Sequence, residues 1–113
     1  MRRGEIWWAD MGEYRGHEQG GYRPVLILQN DVGNRESPTT LVAMLTGAQK
    51  HELPTHIKVT THECNLRRDS IIMAEQIRVV DKSFLRVFVG TLSQKKMQEV
   101  DNAVALSLSL GKV

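Results

Sequence analysis

Two apolar runs, Val25-Leu26-Ile27-Leu28 and Leu41-Val42-Ala43-Met44-Leu45, most constrain what this chain can fold into. Both are bounded by turn-forming residues and fall far short of the ~20 apolar residues a membrane helix needs. A strand with one wet face alternates polar and apolar residues, whereas a continuous short run marks a strand covered on both faces. These two segments therefore read as central strands. With these two, running Arg23–Gln29 and Thr40–Thr46, strands are predicted at Glu5–Ala9, His56–Thr60 and Ser70–Val80, the last rich in β-branched Ile71, Ile72, Ile77, Val79 and Val80. His56-Ile57-Lys58-Val59-Thr60 alternates, so it should have one solvated face. Residues 10–21 read as a long polar loop, and Asn30-Asp31-Val32-Gly33-Asn34 as a turn.

The chain ends in a different pattern. Asp81 is suited to cap a short helical turn through Lys82-Ser83-Phe84-Leu85, and a brief strand, Val87-Phe88-Val89, follows. Ser93 then reads as the N-cap of a terminal helix carrying Met97, Val100, Val104 and Leu108 on one face. Short strands with one closing helix predict a mainly β, α+β chain folded as a small, strongly curved barrel. With 113 residues and no repeat, linker or low-complexity tract, residues 1–113 are expected to form one domain. One small barrel does not easily cover both faces of its central strands, so a homodimer is expected.

Composition narrows the chemistry by exclusion. A net charge of +2 is too small to argue for nucleic-acid binding by itself, although Arg2-Arg3, Arg67-Arg68 and Lys95-Lys96 are compatible with a local basic patch. Cys64 is the only cysteine, which rules out an internal disulfide and fits a reducing compartment. Gly4 and Glu5 interrupt the basic start and no apolar stretch of about 7–15 residues follows, so a secretory signal is not expected. A cytoplasmic protein without a membrane partner is the resulting expectation. His17, His51, His56, His62 and Cys64 form no paired ligand pattern, so no metal or cofactor is expected. Neither a Gly-x-Ser-x-Gly elbow nor a Gly-Lys-Ser/Thr phosphate loop is present.

The remaining signal is Gly16-His17-Glu18-Gln19-Gly20-Gly21-Tyr22-Arg23-Pro24, which runs straight into the second strand. Glycines let the loop backbone approach a ligand, and Pro24 is tolerated at a strand start. Arg23 is thereby held between a permissive loop and a rigid element, a position that suits a phosphate-binding fork of donors. A chain without a nucleophile of its own can act on RNA, which supplies the ribose 2′-hydroxyl. Arg23 could stabilise charge on a phosphate, Thr46 at the mouth of the third strand could hydrogen-bond it, and His17 or Glu18 could accept a proton. Read structurally, the same residues are a strand-start ion-pair partner, a turn-satisfying hydroxyl and solvated loop groups.

Taken together, the pieces resemble the MazF/PemK family of toxin endoribonucleases of toxin–antitoxin systems, across nearly the whole chain. The resemblance rests on Arg3-Gly4-Glu5-Ile6-Trp7 and on Gly16-x-Glu18-Gln19-x-Gly21-x-Arg23-Pro24-Val25-Leu26. It continues through Gln29-Asn30-Asp31, Leu45-Thr46, Leu53-Pro54-Thr55-His56, Asp69-Ser70-Ile71-Ile72, Glu75-Gln76-Ile77-Arg78 and Asp81-Lys82. The match is closest to the MazF branch of Gram-positive bacteria. The resemblance implies an SH3-like barrel, a homodimer, and metal-independent cleavage of single-stranded RNA to 2′,3′-cyclic phosphate and 5′-hydroxyl ends. It implies Arg23 and Thr46 as the catalytic pair, Glu18 and His17 as acid/base candidates, and Gln19, Asn30, Glu75 and Gln76 as RNA-binding residues. An acidic, partly disordered, MazE-like antitoxin would compete for the RNA groove. In the PemK/Kid branch a loop histidine works with an arginine and an aspartate, but here Met73 and Glu75 stand in their places. The Arg23/Thr46 arrangement is accordingly favoured over a His17 relay. CcdB, a gyrase poison on the same barrel, acts through a C-terminal tryptophan, whereas Trp7 and Trp8 both lie in the first strand here.

Overall fold

The computed structural model describes residues 1–13, 16, 20–47 and 52–111. Among these, one antiparallel sheet is built from β1 (Glu5–Asp10), β2 (Tyr22–Ile27), β3 (Thr39–Gly47), β4 (His56–Val59), β5 (Ser70–Asp81) and β6 (Leu85–Thr91). The spatial order is β4-β5-β3-β2-β1-β6. Two helices, α1 (Asp31–Glu36) and α2 (Gln94–Ser107), and one 3-10 turn, Lys82–Phe84, complete the description. None of the described helices is long and apolar enough to cross a membrane.

Strand geometry sends successive side chains to opposite faces, and the central strands feed two separate cores in this way. Leu26, Ala43, Leu45, Ile72 and Ala74 enter one cluster, while Val25, Ile27, Val42, Met44, Ile71 and Met73 enter the other. The first cluster also receives Ile57 and Val59 from β4 and Val89 from β6, the two edge strands, together with Met97, Val100 and Ala103 of α2. A sheet whose opposite edges share one core is strongly curled, and α2 closes its concave side. The second cluster is covered within the same chain by Met11, Val80, Met1, Trp7 and Leu85. Val25, Leu26 and Ile27 are all 0% exposed in a single copy. The curl and bulges of one chain thus cover both faces of the continuous apolar runs. β5 makes this possible, because its pairing with β3 shifts between Ala43 and Met44 and leaves 74–76 as a bulge that bends the strand.

The segment after β2 differs from the expected turn. Asn30 N-caps a short helix, its Oδ1 accepting the Gly33 N–H at 2.8 Å, because an asparagine side chain satisfies a first-turn donor well. Asn34 is buried at the end of this helix. It accepts from Thr40 Oγ1 at 2.7 Å, donates to the Gln29 carbonyl at 2.8 Å, and its own carbonyl takes the Lys82 ammonium. Arg3 fixes the start of the chain beside it. The Arg3 backbone N–H donates to Asp31 Oδ1 at 2.8 Å, its Nε donates to the Leu28 carbonyl at 2.8 Å, and its guanidinium pairs with Asp101 of α2. The Arg3 hydrogen bond holds the Asp31 carboxyl below the usual carboxylate range.

Ser93 caps α2 as expected, accepting from Lys96 N at 3.1 Å, and Asp81 caps the 3-10 turn through Ser83 N at 2.9 Å. Leu108 departs from the expected apolar stripe. It is the C-cap and lies exposed, and Ala103 takes the buried position instead. Ser109 adopts φ 56, while Ser109 N reaches the Leu106 carbonyl and Leu110 N the Ala105 carbonyl. That pairing is a Schellman ending with serine where glycine is usual, and it turns the chain away before Leu108 can pack. Lys96 ties α2 to the segment between β4 and β5, bonding Glu63 at 3.2 Å and the Lys58 carbonyl at 3.0 Å.

Cys64 is buried, which pushes its thiol pKa up and makes it a packing group rather than a reactive one. Its Sγ occupies the space beside Gly90, where an added Cβ would approach to 2.6 Å. Gly90→Ala is therefore expected to cost about 1–3 kcal/mol of stability, read as a lower melting temperature. In a Cys64→Ala background the same substitution should cost much less, and equal costs in the two backgrounds would contradict the contact. At the β5 bulge, Glu75 accepts from Thr55 Oγ1 at 2.8 Å and pairs with His56 Nε2 at 3.0 Å. Burial pushes the Glu75 carboxyl up, but hydrogen bonds from His56, its own backbone and Thr55 outweigh this and leave it below the usual range. A depressed carboxylate contributes stability above its unfolded pKa and loses it as pH falls through the folded value. The melting-temperature gap between wild type and Glu75→Gln should thus be present above the ordinary glutamate pKa of about 4.3 and narrow as pH falls below it. A gap that is constant with pH would show that the carboxylate charge is not what holds β4 to the bulge.

Candidate functional site

β2 and β3 pair with Val25 opposite Met44, Leu26 opposite Ala43 and Ile27 opposite Val42. Two residues beyond the Val25–Met44 pair, one on each strand, stand Arg23 and Thr46. Arg23 lies opposite Ala9 of β1, and Thr46 opposite Ile71 of β5. A guanidinium-bearing and a hydroxyl-bearing residue thus flank the open end of the β2–β3 ladder.

The loop end is held by its backbone. Gly21 sits at φ 75, a conformation that suits glycine, and its carbonyl accepts Met11 N at 2.8 Å. The Gly20 carbonyl accepts Arg23 Nε at 3.2 Å, which orients the guanidinium at the junction of loop and strand.

Arg23 and Thr46 border a cleft of about 510 Å³ whose polar lining also includes Arg67, Arg68 and Ser70. Its apolar lining comes from Trp8, Tyr22, Pro24, Leu45 and Leu66. Gly47, also in the lining, explains where Arg68 lies: a Cβ there would fall 2.9 Å from Arg68 Nη2 and 3.0 Å from its Cζ. The bare α-carbon is a seat for the guanidinium. Ser70 Oγ donates to the Arg68 carbonyl at 3.1 Å and steadies the corner that leads into β5. Arg67, Arg68 and Arg23 bring three permanently charged forks of donors to one cleft, although the chain as a whole carries only +2. Trp8 and Tyr22 stack beside them with ring centroids 5.2 Å apart and planes 17° from parallel.

Of the residues singled out from the sequence, Arg23 and Thr46 meet in this cleft. His17, Glu18 and Gln19 lie outside the described residues. Asn30 is at the far end of β2 from Arg23 and caps α1, while Glu75 and Gln76 sit on the β5 bulge beside β4. None of these three lines the cleft. Among the described residues, no three His, Cys, Asp or Glu side chains converge as a metal site would require. Sequence reasoning named Arg67-Arg68 only as a basic pair and gave Trp8 and Tyr22 no site role. The available signals were an arginine pair just before a strand and an aromatic residue just before Arg23.

Both the sequence and the fold have counterparts among known proteins. Endoribonuclease MazF of Staphylococcus saprophyticus is 49% identical over 111 residues, spanning 97% of this chain and 92% of that protein. A mycobacterial endoribonuclease solved in complex with its cognate antitoxin shares the fold at TM-score 0.84 and 23% identity, over 100% of this chain and 99% of the other. MazF from Deinococcus radiodurans matches at TM-score 0.82 and 22% identity, over 96% of each chain. The model of the PemK-like, MazF-like toxins of type II toxin–antitoxin systems matches residues 2–108, and the chain belongs to that family.

Proposed function

We propose that the protein is the toxin of a type II toxin–antitoxin pair and acts as a sequence-specific endoribonuclease on single-stranded RNA in the cytoplasm. The observation that carries the mechanism is that Arg23 and Thr46 line one cleft together with two further arginines. Residues 1–113 act as one domain in this reading, and the working form is a homodimer.

RNA cleavage begins with the ribose 2′-hydroxyl attacking the adjacent phosphorus. The 2′-O–P bond forms, the P–O5′ bond breaks, and the products are a 2′,3′-cyclic phosphate and a 5′-hydroxyl. One proton leaves the 2′-oxygen and one reaches the 5′-oxygen. Charge accumulates on the non-bridging oxygens in between, and the Arg23 guanidinium is the preorganised group that meets it. The Thr46 hydroxyl donates to the same phosphate from across the ladder. Glu18 and His17, in the loop that leads to Arg23, are the candidates for proton transfer. No step in this scheme draws on a metal ion. Arg67 and Arg68 attract neighbouring phosphates, which raises affinity at low salt. Gln19, Asn30, Glu75 and Gln76 are proposed to contact the RNA beyond the cut. A cleft with three arginines also suits an acidic antitoxin segment that competes with RNA and orders on binding.

The test is incubation of the purified protein with a long single-stranded RNA in excess EDTA, with product ends mapped. Cuts at a recurring sequence that leave 5′-hydroxyl ends are expected. Intact RNA from folded protein on several diverse templates would instead leave a non-cleaving binding barrel. Arg23→Ala should lower kcat by about 10²–10³-fold, and Thr46→Val, which keeps the shape and removes the hydroxyl, by about 10- to 100-fold. Near-normal cleavage by folded Arg23→Ala would sink the mechanism. Gly47→Ala should displace the Arg68 guanidinium and raise KM more than it lowers kcat. It should also flatten the salt dependence of RNA binding, and an unchanged salt slope would remove Arg68 from the phosphate contacts.

A further inference from the structure

Tyr22 and Trp8 form an aromatic wall of the cleft that neither charge nor acid–base chemistry accounts for. Trp8 is partly buried against the main core and is held by its strand, opposite Pro24. Tyr22 is stacked on it, yet remains 53% exposed. The arrangement is an anchored indole carrying a half-exposed phenol ring, and that ring belongs to the residue directly before Arg23. A flat ring with one face packed on a rigid support presents the other at little entropic cost. Single-stranded RNA is held by such surfaces, because unstacked bases regain on an aromatic side chain the contact they lost in the strand.

We infer that Tyr22, backed by Trp8, is a base-stacking platform for the nucleotide that flanks the phosphate held at Arg23. The inference rests on the ribonuclease reading and deepens it. A guanidinium alone would hold any phosphate along the chain. A base stacked on the neighbouring residue sets which phosphate arrives there. The platform is a positioning and specificity element, so its loss acts on KM before kcat. As a merely structural pair, Trp8 and Tyr22 would act only on hairpin stability.

An RNA containing the mapped cut is prepared with a 2′-deoxy nucleotide at the attacking position, so that binding is read without cleavage. 2-Aminopurine replaces each flanking nucleotide in turn. Wild-type protein and Tyr22→Phe are expected to quench one flanking position on binding. Tyr22→Ala should lose that quench and weaken binding roughly 5- to 100-fold, with a matching rise in KM and kcat held within a few-fold. Tyr22→Leu, which keeps an apolar contact on Trp8, should melt like the wild type but bind like the alanine variant. That separates stacking from folding. If wild type cuts RNA in an Arg23-dependent manner while Tyr22→Ala and Tyr22→Leu bind as tightly, the platform is wrong and the ribonuclease stands. If wild type neither cuts nor binds, both readings fall together.

Discussion

Everything in this molecule depends on the alternate burial of β2, β3 and β5. Each strand sends one set of side chains under α2 and the other set to the opposite face, and both sets are removed from water within one chain. A slip of one residue in the β2–β3 register would exchange the two sets and expose both cores to mismatch. The register is therefore strongly specified. Arg23 and Thr46 inherit that precision, because each continues a strand that this register fixes. Positions set by a packed core are held more tightly than positions on a loop, which is what preorganised charge stabilisation requires.

The electrostatics follow the same logic of placement over quantity. Thirteen acidic and fifteen basic residues nearly cancel, and nothing in the totals distinguishes this chain from a solvated surface. Folding gathers Arg23, Arg67 and Arg68 around one cleft, whereas the described ion pairs hold acidic groups elsewhere. Asp101 pairs with Arg3, Glu75 with His56, and Glu63 with Lys96. Glycine takes part in this segregation. Gly47 supplies no side chain, and the vacancy is what lets Arg68 lie over the strand end. Gly90 does the same for Cys64, on the core side of the sheet.

Much of the fold was legible in the chain. The apolar runs announced central strands, Ser93 and Asp81 announced their caps, and β-branched residues marked the longest strand. Legibility ended where a local signal had two physical outcomes. Asn30 and Asp31 suit a turn and a helix start equally well, and Arg3, 28 residues from Asp31, decides for the helix together with the Thr40 bond to Asn34. Leu108 continued the apolar stripe, but a left-handed Ser109 ended α2 first. Two-faced apolar strands called for a cover that the sequence pattern assigned to a second copy, and a single chain also buries both faces by curling. In the site, Arg23 and Thr46 stood out because each ends a strongly patterned segment. Arg67, Arg68, Trp8 and Tyr22 did not, since a basic pair and an aromatic residue at a strand end are common on any surface.

By itself, then, the sequence determined the elements: which segments are strands, which ends are capped, and which polar residues stand where an apolar run stops. These properties are local, set by propensity, period and capping chemistry over a few residues at a time. Only the tertiary structure decided what meets what. The ends of β2 and β3 bring Arg23 and Thr46 to one cleft, the return from β4 to β5 lays Arg68 over Gly47, and the β1–β2 pairing sets Trp8 beneath Tyr22. Contacts of that kind depend on register and curvature, which arise from the simultaneous burial of two cores and are written in no single stretch of the chain.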